Sequence, residues 1–200
     1  MTLGQIFILN RALDGKDIYS MPTFTSLKMS EISVSMYKDS LVEKGMLETH
    51  SSFTPEGLKT TKLIFDFKNA KKYISILDMV FGLIDDETAV LLECAGGDYA
   101  FTLVDTKDAV EQLSGAYSFL LIDGDNWEYG MPLAAEEFLQ TYKLDSKNSF
   151  NLVTEKEGKA TKEIVFTYGK GVFVYDCDEK MLYQKGKGSM KEMLLERMDA

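Results

Sequence analysis

Residues 73–104 read YISILDMVFGLIDDETAVLLECAGGDYAFTLV, and their alternation of apolar runs with polar breaks is typical of an antiparallel sheet. The breaks, Asp85-Asp86 and Gly96-Gly97-Asp98, consist of residues that favour turns. Apolar runs rich in β-branched and aromatic residues between such breaks favour strands joined by short connections. The sequence therefore predicts three strands here: Tyr73–Leu83, Thr88–Cys94 and Tyr99–Val104.

Helical patterns lie on both sides of these strands. Apolar residues recur at helical spacing in three segments before them, which predicts helices over 3–13, from about 25 to 44, and over 54–69. After the strands, Thr106 begins another helix, with Asp108 in its first turn, where the helix dipole favours an acid. The apolar run 117–122 fits either a strand or the end of that helix.

The same order of elements recurs in the second half. Here the sequence predicts a helix from Pro132 to Tyr142, four short strands and a final helix capped by Ser189. In each half an apolar strand ends in an acid followed by a cysteine, Glu93-Cys94 and Asp176-Cys177. These features predict an α+β fold, a single compact unit over 1–200, built from two pseudo-repeated units of antiparallel strands flanked by helices. The units span about 1–123 and 124–200.

Composition and charge narrow the classes of function. With 45% hydrophobic residues, the chain has enough apolar surface to form a core. No apolar run approaches the roughly 18 residues of a membrane span, and the first residues lack the pattern of a signal peptide. We therefore expect a cytoplasmic protein without membrane insertion. A formal net charge of −10 argues against nucleic acid as the partner and favours a neutral or basic one.

No motif with catalytic or metal-binding spacing emerges. His50 is the single histidine, and Cys94 and Cys177 are too far apart for a CxxC motif, so we expect both cysteines to be reduced, half-buried strand residues. Residues 123–126 lack the ligand spacing of a calcium loop, and residues 186–189 lack the first glycine of a phosphate-binding loop. The sequence predicts no catalytic residue, cofactor or metal. An enzyme built on converging carboxylates stays the third alternative.

The second alternative is a winged-helix DNA-binding transcriptional regulator. Leu41–Leu47, LVEKGML, and Phe53–Gly57, FTPEG, resemble the run in such regulators where a helix ends, a hairpin forms and the next helix begins. The DNA-binding segment would then be 25–68. Its presumed recognition helix, however, has only Lys28 and Lys38 to offset its acids, whereas helices that read the major groove usually carry arginine, asparagine or glutamine.

Taken together with the strands and the helix after it, this stretch resembles the EspG-type specificity chaperones of type VII (ESX/WXG) secretion, as a divergent, firmicute-like member. The resemblance rests on Gly45-Met46-Leu47, the helix from Thr54, the three strands and the helix from Thr106, with a second copy over 132–198. It implies a non-enzymatic cytosolic chaperone or adaptor. Such a protein binds a helical secretion substrate, WXG- or LXG-like, and keeps it export-competent.

The final helix offers one candidate docking stripe. Four apolar residues lie at i, i+3, i+4 and i+8 on a single face: Met190, Met193, Leu194 and Met198. Methionine suits surfaces that accept differing helices, and Arg197 would border the stripe. The same spacing also fits a helix that covers the second part of the sheet. The sequence therefore predicts either a partner-binding site at these five residues or a contribution to the core.

Overall fold

The computed structural model describes residues 1–24, 27–124, 129–185 and 188–199. Its helices are α1 Leu3–Arg11, α2 Glu31–Glu43, α3 Pro55–Lys68, α4 Thr106–Ala116, α5 Ala135–Thr141 and α6 Met190–Arg197. A short 3-10 helix, Ser118–Leu121, follows α4. None of these described helices has the length and hydropathy that crossing a membrane requires.

The described strands form one large antiparallel sheet and a small hairpin. Their bounds are β1 Leu47–Thr49, β2 Ser52–Phe53, β3 Lys72–Ile76, β4 Met79–Leu83, β5 Thr88–Ala95, β6 Asp98–Asp105, β7 Tyr129–Pro132, β8 Ser149–Lys156, β9 Lys159–Tyr168, β10 Gly171–Asp176 and β11 Met181–Lys185. The nine-stranded sheet has the order β6-β5-β4-β3-β8-β9-β10-β11-β7, and β1 pairs only with β2. The α+β prediction is confirmed.

Side-chain caps fix where several helices begin. Thr54 accepts a hydrogen bond from the backbone N–H of Gly57 at the start of α3, and Pro55 occupies the first helical position, where no N–H is needed. At α6, Ser189 and Glu192 form a reciprocal capping box. Because these caps depend on residues three apart, the sequence predicts both helix starts correctly.

Three predicted elements differ from the structure. The predicted strand Tyr73–Leu83 is a hairpin of two strands, because Leu77 takes a left-handed backbone with φ 55° and turns the chain between β3 and β4. Helix α2 begins at Glu31, capped by Ser30, rather than near residue 25; residues 25–26 lie outside the described part. Pro132 ends β7, and α5 begins only at Ala135.

Each half of the chain supplies a four-stranded meander between two helices. The order α3-β3-β4-β5-β6-α4 recurs as α5-β8-β9-β10-β11-α6. The two meanders join where β3 pairs antiparallel with β8, from Lys72 opposite Lys156 to Ile76 opposite Leu152. One continuous sheet therefore runs through both halves.

Helices cover both faces of this sheet. The α4/α6 face carries the largest core, in which Ile74 and Leu152 of the central strands pack with Val110 of α4 and Leu194 of α6. On the opposite face, α1 and α3 cover the first meander around Phe67. Helix α5 covers the second meander, with the Phe138 ring stacked on Tyr175 at 4.0 Å between centroids.

Candidate partner-binding groove

The stripe on α6 lies inside the core. Met190, Met193, Leu194 and Met198 are all buried against the central strands and α4. The face of α6 that carries these residues is therefore turned towards the core and away from solvent. This corrects the expectation that the stripe is an accessible docking site. The four residues instead contribute to the core, which was the other possibility.

The fifth residue of that prediction, Arg197, forms an ion pair with a buried acid. Its Nη2 atom donates to Oε1 of Glu163 on β9 at 2.6 Å. Burial raises the pKa of Glu163 above its ordinary value of 4.5, and the nearby Arg197 guanidinium partly opposes that rise. Arg197 therefore compensates a carboxylate within the fold.

This burial predicts a pH dependence of stability. Because the folded state holds the Glu163 proton more tightly than the unfolded state, the stabilisation is complete below the unfolded pKa and is lost as pH rises through the folded pKa. Urea unfolding of the parent protein and of Glu163→Gln, measured from pH 4 to pH 8, should show this loss only in the parent. Glu157→Gln, at an exposed turn, is the control and should keep the parent profile. A parallel profile for Glu163→Gln would contradict the assignment.

A groove of about 640 Å³ lies on the α4/α6 face, beside α4. Its floor consists of side chains from β4 and β5, among them Phe81 and Leu91, and its wall is α4 with Tyr117 beyond it. The lining residues are Met79, Phe81, Leu91, Glu93, Thr102, Leu103, Val104, Asp105, Asp108, Ala109, Gln112, Leu113, Ala116 and Tyr117. We call this site the α4 groove.

The groove exists because α4 covers only part of the first meander. Asp105 caps α4 by accepting hydrogen bonds from the N–H groups of Lys107 and Asp108, which fixes the helix directly at the end of β6. From there α4 buries Val110 and Leu113 towards the centre of the sheet. The outer strand keeps its residues on this face open, so that Thr102 is exposed.

The charged groups of the α4 groove are all acidic in its described lining. Glu93, Asp105 and Asp108 are among its lining residues, and within the described lining none carries a cationic group. Carboxylates around an apolar floor favour a ligand that has an apolar face and basic flanking groups. The α4 groove thus combines an apolar floor with acidic groups.

Two other depressions lack this combination of an apolar floor and exclusively acidic charges. One, of about 630 Å³, surrounds the Glu163–Arg197 pair and also includes Asp176 and Lys185, so its charges compensate each other. The other, of about 300 Å³, lies near His50, whose Nε2 atom is 2.6 Å from Oδ1 of Asp39. Because the first depression has balanced charges and the second is lined by the cations Arg11 and Lys38, the α4 groove is the stronger candidate for a partner with basic flanking groups.

The single histidine and the two cysteines lie in different parts of the fold. His50 is exposed in the β1–β2 turn. Both cysteines are free thiols. Cys94 lies on β5 but is exposed rather than half-buried as predicted. Cys177 is half-buried, and burial raises its pKa, but it lies in the turn after β10 rather than in a strand. In the described part of the chain, no three His, Cys, Asp or Glu residues are grouped as metal ligands would be. Residues 125–126 and 186–187 of the two rejected loop motifs lie outside that part.

The sequence did not identify the α4 groove. Its residues come from β4, β5, β6 and α4, and they adjoin only after the meander folds. One local signal was available: Thr102, Val104 and Asp108 are polar or half-exposed positions beside the apolar positions that face the core. That pattern is common on outer strands, so it does not by itself indicate a binding site.

Comparison with known proteins gives one family. No curated protein matches the chain. A family model described as a domain of unknown function (DUF5081) matches residues 2–200. Since this match covers nearly the whole sequence, the chain belongs to the DUF5081 family.

Proposed function

We propose that this protein is a non-enzymatic, cytoplasmic chaperone or adaptor that binds a helical, WXG- or LXG-like substrate of type VII secretion and keeps it export-competent. The α4 groove is the observation that carries the proposal, because it combines an apolar floor with an acidic border. An amphipathic helix binds such a groove through its apolar face, with residues at i, i+3, i+4 and i+7 as anchors.

Charge supports a protein partner of this kind. The chain has a formal net charge of −10, and the groove contributes Glu93, Asp105 and Asp108 to it. Basic residues on either side of the partner's apolar face would meet these carboxylates. Complementary charges of this kind increase association rates and select among partners.

The winged-helix alternative over 25–68 has weaker support. Helix α2, which would read DNA, exposes Ile32 and Met36, with 75% and 65% of their surfaces accessible. Base edges in the major groove are read mainly by polar side chains, and phosphates by cations. The one cationic side chain within α2 is Lys38, and the helix also carries the acids Glu31, Asp39 and Glu43. Helix α2 thus offers few of the cationic and amide side chains that DNA recognition usually needs.

The groove can be tested by filling it without disturbing the core. Thr102→Arg and Ala116→Arg together place two large cations on exposed positions of the lining. We expect the affinity for a purified helical WXG- or LXG-type protein, measured by calorimetry, to fall at least tenfold, which is about 1.4 kcal/mol. The melting temperature should stay near that of the parent, because neither side chain is buried.

The matched control adds the same charge elsewhere. Gln140→Arg and Asn151→Arg are exposed positions on α5 and β8, remote from the groove in the fold, and should preserve binding. Equal affinity for all three proteins would refute the groove as the binding site. Retention on DNA at low salt, with no binding of any helical protein offered, would instead support the regulator.

A further inference from the structure

We propose that the free edge of β6 binds an extended, basic segment of a partner protein, which adds to the sheet as a further strand. This goes beyond the proposed function, since it concerns backbone pairing at the sheet edge rather than a helix in the α4 groove. The inference rests on the pairing pattern of β6, on its side chains and on the charge around it.

The pairing pattern shows which backbone groups of β6 are free. Strand β6 pairs with β5 along its whole length, from Asp98 opposite Ala95 to Asp105 opposite Thr88. In an antiparallel ladder, alternate residues direct both N–H and C=O towards the same neighbour. Tyr99 directs both groups outwards, so Phe101 and Leu103 do the same. Among the described backbone hydrogen bonds outside the β5–β6 ladder, none involves the N–H or C=O of Phe101 or Leu103.

The first residues of the chain already pair with this edge. The Tyr99 N–H donates to the Met1 carbonyl at 2.7 Å, and the Met1 amino group donates to the Tyr99 carbonyl at 2.7 Å. Thr2 forms an antiparallel bridge with Asp98. The geometry of this edge therefore suits strand pairing, and beyond the part that Met1 and Thr2 occupy, Phe101 and Leu103 direct the same backbone groups outwards.

The composition of the two sheet edges differs. At the opposite edge, β7 has four residues and includes Gly130 and Pro132, which weaken strand pairing. The free part of β6, residues 100–104, reads AFTLV and contains no charge, glycine or proline. Leu103 is 55% exposed there. Soluble proteins usually protect exposed edges with charge, proline or bulges, and this edge lacks that protection.

Charge determines which occupant fits. Asp105 stands at one end of the free segment, and Glu93 and Asp108 lie in the adjoining groove. The cations near this edge are Lys107, in the first turn of α4, and the Met1 amino group, which is 3.8 Å from Asp98 beyond the other end of the segment. A second copy of the chain would bring another formal charge of −10 to this acidic edge. An extended segment with lysine or arginine at its ends would gain attraction instead. The geometry and charge together favour a basic partner segment.

A synthetic peptide tests this directly. The probe is a peptide of nine residues in all, with alternating valine and threonine in the middle and two lysines at each end. It is labelled for fluorescence anisotropy. We expect it to bind the full-length protein at least tenfold more tightly than its counterpart with glutamates at the ends. The fully N-methylated probe keeps the side chains and charges but has no backbone donors, and it should lose binding at least tenfold.

A protein variant provides the complementary test. Leu103→Pro removes the outward N–H, and proline is tolerated on edge strands where that group faces solvent. It should weaken probe binding at least tenfold, whereas Leu103→Thr, which keeps the N–H, should stay within about threefold. Ala116→Arg, which obstructs the α4 groove, leaves the edge N–H groups in place and should also retain the probe. The binding of a helical protein in the α4 groove and the binding of the peptide at the β6 edge can thus fail independently.

Three outcomes would overturn the inference. The first is equal binding of the N-methylated and unmodified probes, which requires no change to the protein and so applies even if Leu103→Pro does not fold. The second is unchanged binding to a folded Leu103→Pro variant. The third is a dimer in sedimentation velocity that Leu103→Pro abolishes, because the edge would then pair with a second copy.

Discussion

Replacing Met193 and Leu194 together with serine should lower the free energy of unfolding by roughly 4–10 kcal/mol, about 2–5 kcal/mol for each large buried side chain that is truncated. Both side chains are buried where α6 packs against the sheet. Serine also places a hydroxyl in an apolar site, which adds a desolvation cost. Since small domains are stable by only about 5–15 kcal/mol, the variant should be largely unfolded in urea or thermal melts.

The control for this change is on α2. Ile32→Ser and Met36→Ser remove an aliphatic residue and a methionine from exposed positions, so stability should change by less than about 1 kcal/mol. Near-native stability of the α6 double variant would show that its stripe does not contribute to the core. In that case the partner-binding prediction for Met190, Met193, Leu194, Arg197 and Met198 would regain its basis.

Phe67→Ala should destabilise the protein by about 3–5 kcal/mol, the usual cost of truncating a buried phenylalanine. The Phe67 ring lies edge-on to Tyr73 and Phe101, with centroid distances of 5.3 Å and 5.5 Å. Gly82 on β4 makes room for it, since a Cβ atom there would lie 2.9 Å from the Phe67 ring. Alanine would leave a cavity between α3 and the sheet that these neighbours cannot fill.

Phe65→Ala is the matched control, because Phe65 lies in the same helix and is 50% exposed. It should cost less than about 1 kcal/mol. Chemical unfolding of both variants measures the difference. If the two substitutions had the same effect, the side of α3 that faces the sheet would be wrongly assigned.

The elements that sequence predicts well depend on near neighbours. Thr54 and Ser189 mark helix starts because each caps an N–H three residues further along the chain. The strands over 88–104 are recognisable because glycine and aspartate separate apolar runs. Local patterns of this kind are sufficient for the α+β class and for the repeated order of helix, meander and helix.

Errors occur where distant pairing overrides local preference. Leu77 has no turn signature, yet it adopts φ 55° because β3 and β4 must pair on either side of it. Pro132 is typical of a helix start, but pairing with Met181 places it at the end of β7. In both cases the free energy of strand pairing outweighs an unfavourable local conformational preference.

The sequence by itself thus determined the class of fold, most helix and strand positions, and the acidic charge that favours a neutral or basic partner. Only the tertiary structure decided that the α6 stripe is buried, that β3 pairs with β8, and that the α4 groove and the β6 edge are open. Amphipathic spacing shows that a helix has an apolar face, but it contains no information about what covers that face. That depends on contacts between residues far apart in the chain, which exist only once the sheet has assembled.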